Sequence, residues 1–288
     1  MFGPQHYVPI LRWKRAERFA VEKLPDCYRA RVTPLLEPTP WLFEPPSRAN
    51  KSGQRRNAEE VIVQISRDIL KHWGNNPLFC DFWHVSKVPD IHGRIHPLVF
   101  LAEQSHNLRL NIIPVTGILR PERYQEAVSH IVRENPKGVC IRVHPGDIRR
   151  PTFQGQLQDL LARLKLSETD VDLLLDCQDL NGVAPDLVVL VSAIPRVKTW
   201  RTLTVSCGAF PKDLSGLKPG IRRIQRLDWI SYKKMASDSG KLARIPSYSD
   251  YTIQHAQFEE PREGCNFSAS IRYAVVVHPS KTRQVVSV

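Results

Sequence analysis

With 288 residues, 42% of them hydrophobic, the chain can bury one large core or two small ones, and its densest apolar run, Leu187 to Ile194, falls far short of the ~18 residues of a membrane span. No apolar leader opens the sequence and the six cysteines include no C-x-x-C pair, so the expectation is a cytoplasmic protein with reduced thiols and neither a secretory signal nor a zinc knuckle. The formal charge of +12 favours polyanions, and the excess sits at the two ends: residues 1–56 hold 11 Lys/Arg against 5 Asp/Glu, and residues 212–288 hold 13 against 7.

The first strand-like segment, Tyr7 to Leu11, is followed by a second, Val32 to Glu37. Pro38 to Asn57 is a loop with four prolines and the basic run Arg48, Lys51, Arg55 and Arg56. Ala58 to Trp73 sets Val61, Ile65, Ile69 and Trp73 at i+4 spacing, which predicts an amphipathic helix stopped by Gly74. Pro77 to Phe82 and Asn111 to Thr116 read as the third and fourth strands. Pro121, at a first-turn position, opens a helix carrying Tyr124, Ala127, Val128, Ile131 and Val132, which ends at Asn135-Pro136.

Gly138 to Val143 is the fifth strand, and Leu157, Leu160, Leu161 and Leu164 form an inward helical stripe behind it. Val171 to Asp176 is the sixth, followed by a shorter stripe at Leu187, Leu190, Val191 and Ile194. Thr202 to Ser206 is the seventh; a Gly- and Pro-rich connection, Gly208 to Arg223, then precedes a helix with Leu227, Trp229 and Ile230. Tyr248 to Ile253 is the eighth. Beyond it Ser268 to Val277 reads as a strand, and no eighth amphipathic helix is visible.

Eight strands about 34 residues apart, seven of them leading into a helical stretch, fit the roughly 31 residues per unit of a (β/α)8 barrel. Several are nearly continuous apolar runs, as parallel strands covered on both faces require. The expected fold is therefore a single TIM-barrel-like domain over residues 1–255, with residues 256–288 as an irregular tail in place of the eighth helix. First and eighth strands of a closed barrel are neighbours, so the two basic ends should share one sector of surface.

The C-terminal ends of barrel strands converge on one face. Reading them off gives Lys14, Glu37, Asp81, Thr116, Arg142, Asp176, Ser206 and Asp250, with His255 shortly beyond. Glu37, Asp81, Asp176 and Asp250 are the acidic catalytic candidates, and His255 is a candidate general base because imidazole titrates near neutrality. Glu37, Asp81 and Asp176 are also the candidate ligands for Mg²⁺, which takes oxygen ligands and a substrate phosphate. Lys14 and Arg142 suit a phosphate or carboxylate, one as a point charge and the other as a fork. The same groups admit a structural account in which arginine and carboxylates neutralise one another, with His255 a polar surface residue.

Arg48, Lys51, Arg55 and Arg56 are expected to project from the functional face and are candidates for weak, sequence-independent nucleic-acid binding, with a solvated basic surface as the alternative. No nucleic-acid module or interleaved aromatic platform is evident in the sequence. P-loop, G-x-G-x-x-G, G-x-S-x-G and H-E-x-x-H motifs do not occur.

Tyr7-Val8-Pro9-Ile10-Leu11-Arg12-Trp13-Lys14 with Glu17 resembles the opening Y-V-P-I-L-K-x-K-x-x-E of the phage beta-protein family of satellite phages, prophages and bacterial genomic islands. Thr33-Pro34-Leu35-Leu36-Glu37, Ile113-Pro114-Val115-Thr116-Gly117, Ser249-Asp250-Tyr251-Thr252-Ile253-Gln254-His255 and Ala269-Ser270-Ile271-Arg272-Tyr273 are similar to further segments of that family. The likeness carries no established reaction. It implies a role in conflict between phages and hosts. The strand-end residues add the expectation of an anionic or phosphate-bearing ligand at the barrel's C-terminal face, with Arg272 joining Lys14 and Arg142 as a ligand-binding candidate. The alternative is a non-enzymatic scaffold, working with a protein partner encoded nearby. Family members continue past the Ile-Arg-Tyr segment and Ala274 to Val288 does not resemble that continuation, so a C-terminally short member is expected.

Overall fold

The computed structural model describes residues 2–43, 56–212 and 222–258, together with strands at 272–277 and 282–287. Strand β1 (Tyr7–Leu11) leads to helices α1 (Arg15–Glu22) and α2 (Asp26–Arg29), β2 (Leu35–Leu36) to α3 (Ala58–His72), β3 (Leu78–Cys80) to α4 (Pro97–Asn107), and β4 (Ile112–Thr116) to α5 (Glu122–Glu134). β5 (Val139–Val143) leads to α6 (Pro145–Ile148) and α7 (Phe153–Leu164), β6 (Val171–Asp179) to α8 (Leu187–Ser192), and β7 (Thr202–Gly208) through β8 (Arg222–Gln225) to α9 (Leu227–Ser237). β9 (Ser247–Asp250), β10 (Arg272–Val277) and β11 (Thr282–Ser287) follow.

Strands β1 to β7 and β9 pair in parallel into a closed barrel, and β9 returns to β1 through the pairs Tyr7–Tyr248, Val8–Ser249 and Pro9–Asp250. The eight-fold rhythm of the sequence is thus the barrel. Its first and last strands are neighbours. No described helix is long and apolar enough to cross a membrane. The five described cysteines are free, with Cys80, Cys140 and Cys207 buried, Cys177 partly so and Cys27 exposed.

In the tail, the strand expected within Ser268 to Val277 is β10, and it forms an antiparallel hairpin with β11, which β8 extends into a three-stranded sheet in the order β10-β11-β8, more regular than the irregular addition expected over residues 256–288. Both segments are rich in β-branched residues, which favour a pleated surface. Among the described residues no helix follows β9.

Two strands are shorter than their apolar runs. Pro34 has no N–H to give to the ladder, so β2 is reduced to Leu35–Leu36, although Tyr7 bridges Val32 before it and the Glu37 N–H reaches the Leu11 carbonyl (2.8 Å) after it. In the same way the Asp81 N–H reaches the Leu36 carbonyl at 2.8 Å just beyond β3. Pairing therefore runs one residue past the regular strands, and the two acids are held by backbone bonds. Helix α3 shows the local signals plainly: the Asn57 side chain accepts from the Glu59 N–H, and Gly74 at φ +72° closes the other end. Pro121 precedes α5 as its cap residue, one position earlier than the sequence implied.

Strand side chains alternate between two cores. Val8, Ile10, Leu35, Phe79, Ile113, Val115, Cys140 and Leu174 fill the barrel. Leu11, Leu36, Leu78, Ile112, Ile141, Leu173 and Leu203 point outward and pack under the helices. Continuing the inward period by two residues gives Arg12, Glu37, Asp81, Arg142 and Asp176. Ser249 on β9 has Tyr251 as its inward successor, which leaves Asp250 on the outer side.

Gly138, at φ +79°, opens β5 where a Cβ would collide with the Asp170 carbonyl and the Arg201 guanidinium. Arg201 itself donates to the Lys137 carbonyl at 2.8 Å and to Asp172 at 2.6 and 3.1 Å. Gly138→Ala must strain the backbone and displace this arginine, so it should lower unfolding free energy by more than about 2 kcal/mol in urea denaturation.

Candidate functional site

Arg142 stands at the centre of the barrel mouth and all five of its N–H donors are engaged. Nε and Nη2 donate to Asp176 Oδ2 at 2.9 and 2.6 Å, Nη1 to Glu37 and, at 3.0 Å, to Asp81 Oδ2, and Nη2 also to the Tyr251 hydroxyl at 2.7 Å. Tyr251 passes the bond on, donating to Asp176 Oδ2 at 2.6 Å. Two further arginines complete the set. Arg12 pairs with Glu37 and donates to the Ala256 carbonyl at 2.6 Å; Arg120 reaches Asp81 at 2.7 Å. The remaining acid oxygens accept from backbone: Asp81 Oδ1 from Trp83 N–H at 3.0 Å and Asp176 Oδ1 from Gln178 N–H at 2.9 Å. Glu37, Asp81, Asp176, Arg12 and Arg142 are all buried.

Three guanidiniums thus match three carboxylates, and protonation follows from that. Burial would push the Glu37 carboxyl up, but Arg142 and Arg12 beside it hold it well below the usual range. Burial likewise works against charge on Arg142, which Tyr251, Asp176, Glu37 and Asp81 outweigh, raising it well above its usual value. Burial pushes the Tyr251 hydroxyl well up, against the pull of Arg142. Backbone strain flanks the network: Trp13, Gln178 and Thr252 have φ of 59°, 53° and 59°, rare for such side chains, next to Arg12, Asp176 and Tyr251.

Over this floor opens a cleft of about 460 Å³, whose wall includes Glu37, His84, Arg120, Arg142, His144 and Tyr251. Arg12 Nη1 lies 2.7 Å from His84 Nε2; an arginine only donates, so Nε2 accepts. His144 Nδ1 lies 3.0 Å from the Asp176 carbonyl, which only accepts, so the proton is on Nδ1. That leaves His144 Nε2 with no partner among the described residues. Neither histidine was marked by the sequence as a site residue, nor were Arg12, Arg120 and Tyr251. For Arg12 and Tyr251 the signal was the inward period of two; His144 directly follows β5.

The sequence candidates divide. Glu37, Asp81, Arg142 and Asp176 come together as expected. Asp250 does not join them: it faces the outer layer, paired with Arg226, with the Tyr7 and Tyr248 hydroxyls at 2.6 and 2.9 Å. His255 pairs with Asp179 at 3.0 Å, away from the cleft wall. Lys14 sits at the rim, donating to Gln254 at 2.9 Å. Thr116 donates to Gln125 at 2.9 Å, and the buried Ser206 hydroxyl has no partner among the described residues. Arg272 opens β10 in the small sheet, outside the barrel ring. Arg48, Lys51 and Arg55 lie outside the described residues; Arg56 is exposed and donates to the Leu42 carbonyl at 3.1 Å. Glu37, Asp81 and Asp176, the expected Mg²⁺ ligands, have the Arg142 guanidinium between them, and among the described residues no group of three or more His, Cys, Asp or Glu is placed to hold a metal ion.

Removing Arg142 would strand buried acids, so Arg142→Met should lower stability at neutral pH by about 3–5 kcal/mol in urea denaturation. Because the folded Glu37 titrates below its ordinary value of 4.5, its contribution is complete above pH 4.5 and is lost as pH falls through the folded value. Glu37→Gln cannot lose it that way. Below pH 4.5 the unmodified protein should therefore lose stability more steeply than the variant, as acid denaturation curves would show.

Among solved structures, two single-residue mutants of the tryptophan synthase alpha-subunit from the hyperthermophile Pyrococcus furiosus are similar to this chain at 11% and 12% identity. Each comparison covers 87% of this chain and 89% of the other, with TM-scores of 0.45 and 0.46. SacUVDE is similar at 7% identity over 87% of this chain and 94% of that one, with a TM-score of 0.39. No curated protein matches. Residues 7–283, nearly the whole chain, match the family described as Beta protein, and the chain belongs to that family.

Proposed function

We propose that this Beta protein family member binds a small anionic ligand, bearing phosphate or carboxylate, in the cleft above the Arg142 network. The observation that carries this reading is where the charges are spent. Glu37, Asp81 and Asp176 are consumed by arginines in the floor, so the groups left to meet a ligand are donors and rings. Arg120 uses Nη2 for Asp81 and lies over the Trp83 ring, 4.4 Å from its centroid. The rest of its guanidinium makes no hydrogen bond among the described residues. His144, held by the Asp176 carbonyl, stands on the same wall. Arg142 serves as the support that fixes the floor, its own donors being fully used.

That saturation also favours a second reading, a scaffold with no ligand, and titration separates the two. With inorganic phosphate or pyrophosphate against sodium chloride at equal ionic strength, ligand binding gives a saturable rise in melting temperature, equivalent to about 2.7 kcal/mol at 100 times the dissociation constant. Arg120→Ala should weaken it at least tenfold, whereas replacing exposed Lys198, which precedes β7 at the opposite end of the barrel, should not. A flat melting temperature with both anions favours the scaffold.

The setting we propose, a phage or mobile-element system in conflict between phages and hosts, rests on the family likeness. Cells expressing the chain should show altered phage plating efficiency, with Arg120→Ala reverting it. Equal plaque counts with and without the chain would remove that setting.

A further inference from the structure

We infer that the anion is the backbone of a single-stranded nucleic acid, lying along a trough that begins at this cleft; the inference rests on the anion-binding reading above. The cleft adjoins another of about 900 Å³, and Trp83, His84 and Phe258 line both. At their junction the Trp83 ring is 40% exposed. Phe258 packs edge-on to Trp41 at 5.6 Å and against His84 at 5.4 Å. Arg120, on the wall of the smaller cleft, lies over the Trp83 ring, 4.4 Å from its centroid.

Charge in the larger cleft has the matching sign. Its wall holds Arg56 and Lys87 beside Glu59 and Asp90. Both acids are already paired, Glu59 with His92 at 3.2 Å and Asp90 with Arg123. Rings at the junction of the two clefts, with Arg120 on one side and Arg56 and Lys87 on the other, suit a strand of bases and phosphates, since bases stack on the rings while the backbone follows the charge. An acidic peptide would satisfy the cations but leave the rings without partners. A duplex keeps its bases stacked on one another and out of reach. These rings come from separate connections, so the sequence showed no platform.

The test is fluorescence anisotropy with a short labelled oligothymidylate, the corresponding duplex and unlabelled polyglutamate as competitor, at several salt concentrations. The single strand should bind more tightly than the duplex, and its affinity should fall linearly with salt on logarithmic axes. Arg56→Ala with Lys87→Ala should flatten that slope by about 0.7 per phosphate contact removed. Trp83→Ala should weaken binding about tenfold or more while leaving the slope unchanged, because stacking releases no counterions. Trp83→Phe keeps a ring and should retain most of the affinity; Trp83→Leu should not, which settles the point if Trp83→Ala proves unfolded by circular dichroism. Equal competition by polyglutamate, equal affinity for duplex, or indifference to the Trp83 ring would each overturn the inference. Phosphate binding without oligonucleotide binding defeats this inference alone, and binding of neither defeats the anion site as well.

Discussion

A guanidinium buried at the mouth of a barrel must find acceptors for five N–H groups, and that requirement organises this structure. Arg142 on β5 finds them on the ends of β2, β3 and β6 and just past β9, so one side chain links strands that are not neighbours in the ring. Buried ion networks contribute little net stability compared with an apolar plug of equal size, because every charge must be stripped of water. What this one imposes is position. Glu37, Asp81 and Asp176 each receive more than one donor, so the strand ends cannot shift without leaving a buried charge unpaired. The strained residues Trp13, Gln178 and Thr252 lie beside the network, where such backbone is tolerated only because the surroundings fix it.

The same geometry divides the polar groups of the barrel between two layers. Inward residues build the floor of the cleft. Outward polar residues on the closing strands build a separate cluster, in which Tyr7 from β1, Tyr248 and Asp250 from β9, Arg226 just before α9 and Asp228 in its first turn share hydrogen bonds and ion pairs. Trp229 and Tyr232 of α9 pack on Tyr248 with ring centroids 5.0 Å away. This second cluster has the chemical variety of an active site, but it is filled by its own members and faces a helix. Density of polar residues at strand ends is therefore a poor guide unless the direction of each side chain is known.

That distinction explains what could be read from the sequence. The barrel was legible because parallel strands covered on both faces appear as short apolar runs at regular spacing. Three acids and Arg142 were legible because strand ends converge. Asp250 was misplaced by one residue, since its neighbour Tyr251 takes the inward step. Helix α4 gave no stripe: Leu98, Val99, Phe100 and Leu101 form a run in its first turns, and a run does not reveal a helical period. The β10–β11 hairpin was half visible, because its pairing depends on β8, more than 40 residues earlier in the chain. Arg120, His144 and the rings of Trp41, Trp83 and Phe258 lie on connections that only the closed barrel brings together, and no local spacing encodes that.

Closing the ring sets an order in time. The hydrogen bond from Tyr7 to Asp250 joins residues 243 apart in sequence. At the usual pace of synthesis, the ribosome takes on the order of ten to fifty seconds to cover that interval. Throughout it β1 has β2 on one side and an open edge on the other, and open edges invite pairing with foreign strands. Arg226 and Asp228 emerge before β9 and can already hold each other, so the last strand meets a prepared partner when it arrives. The outer cluster is thus a latch for a late, long-range step. Contacts made after the folding barrier govern how slowly a native ring reopens rather than how fast it forms.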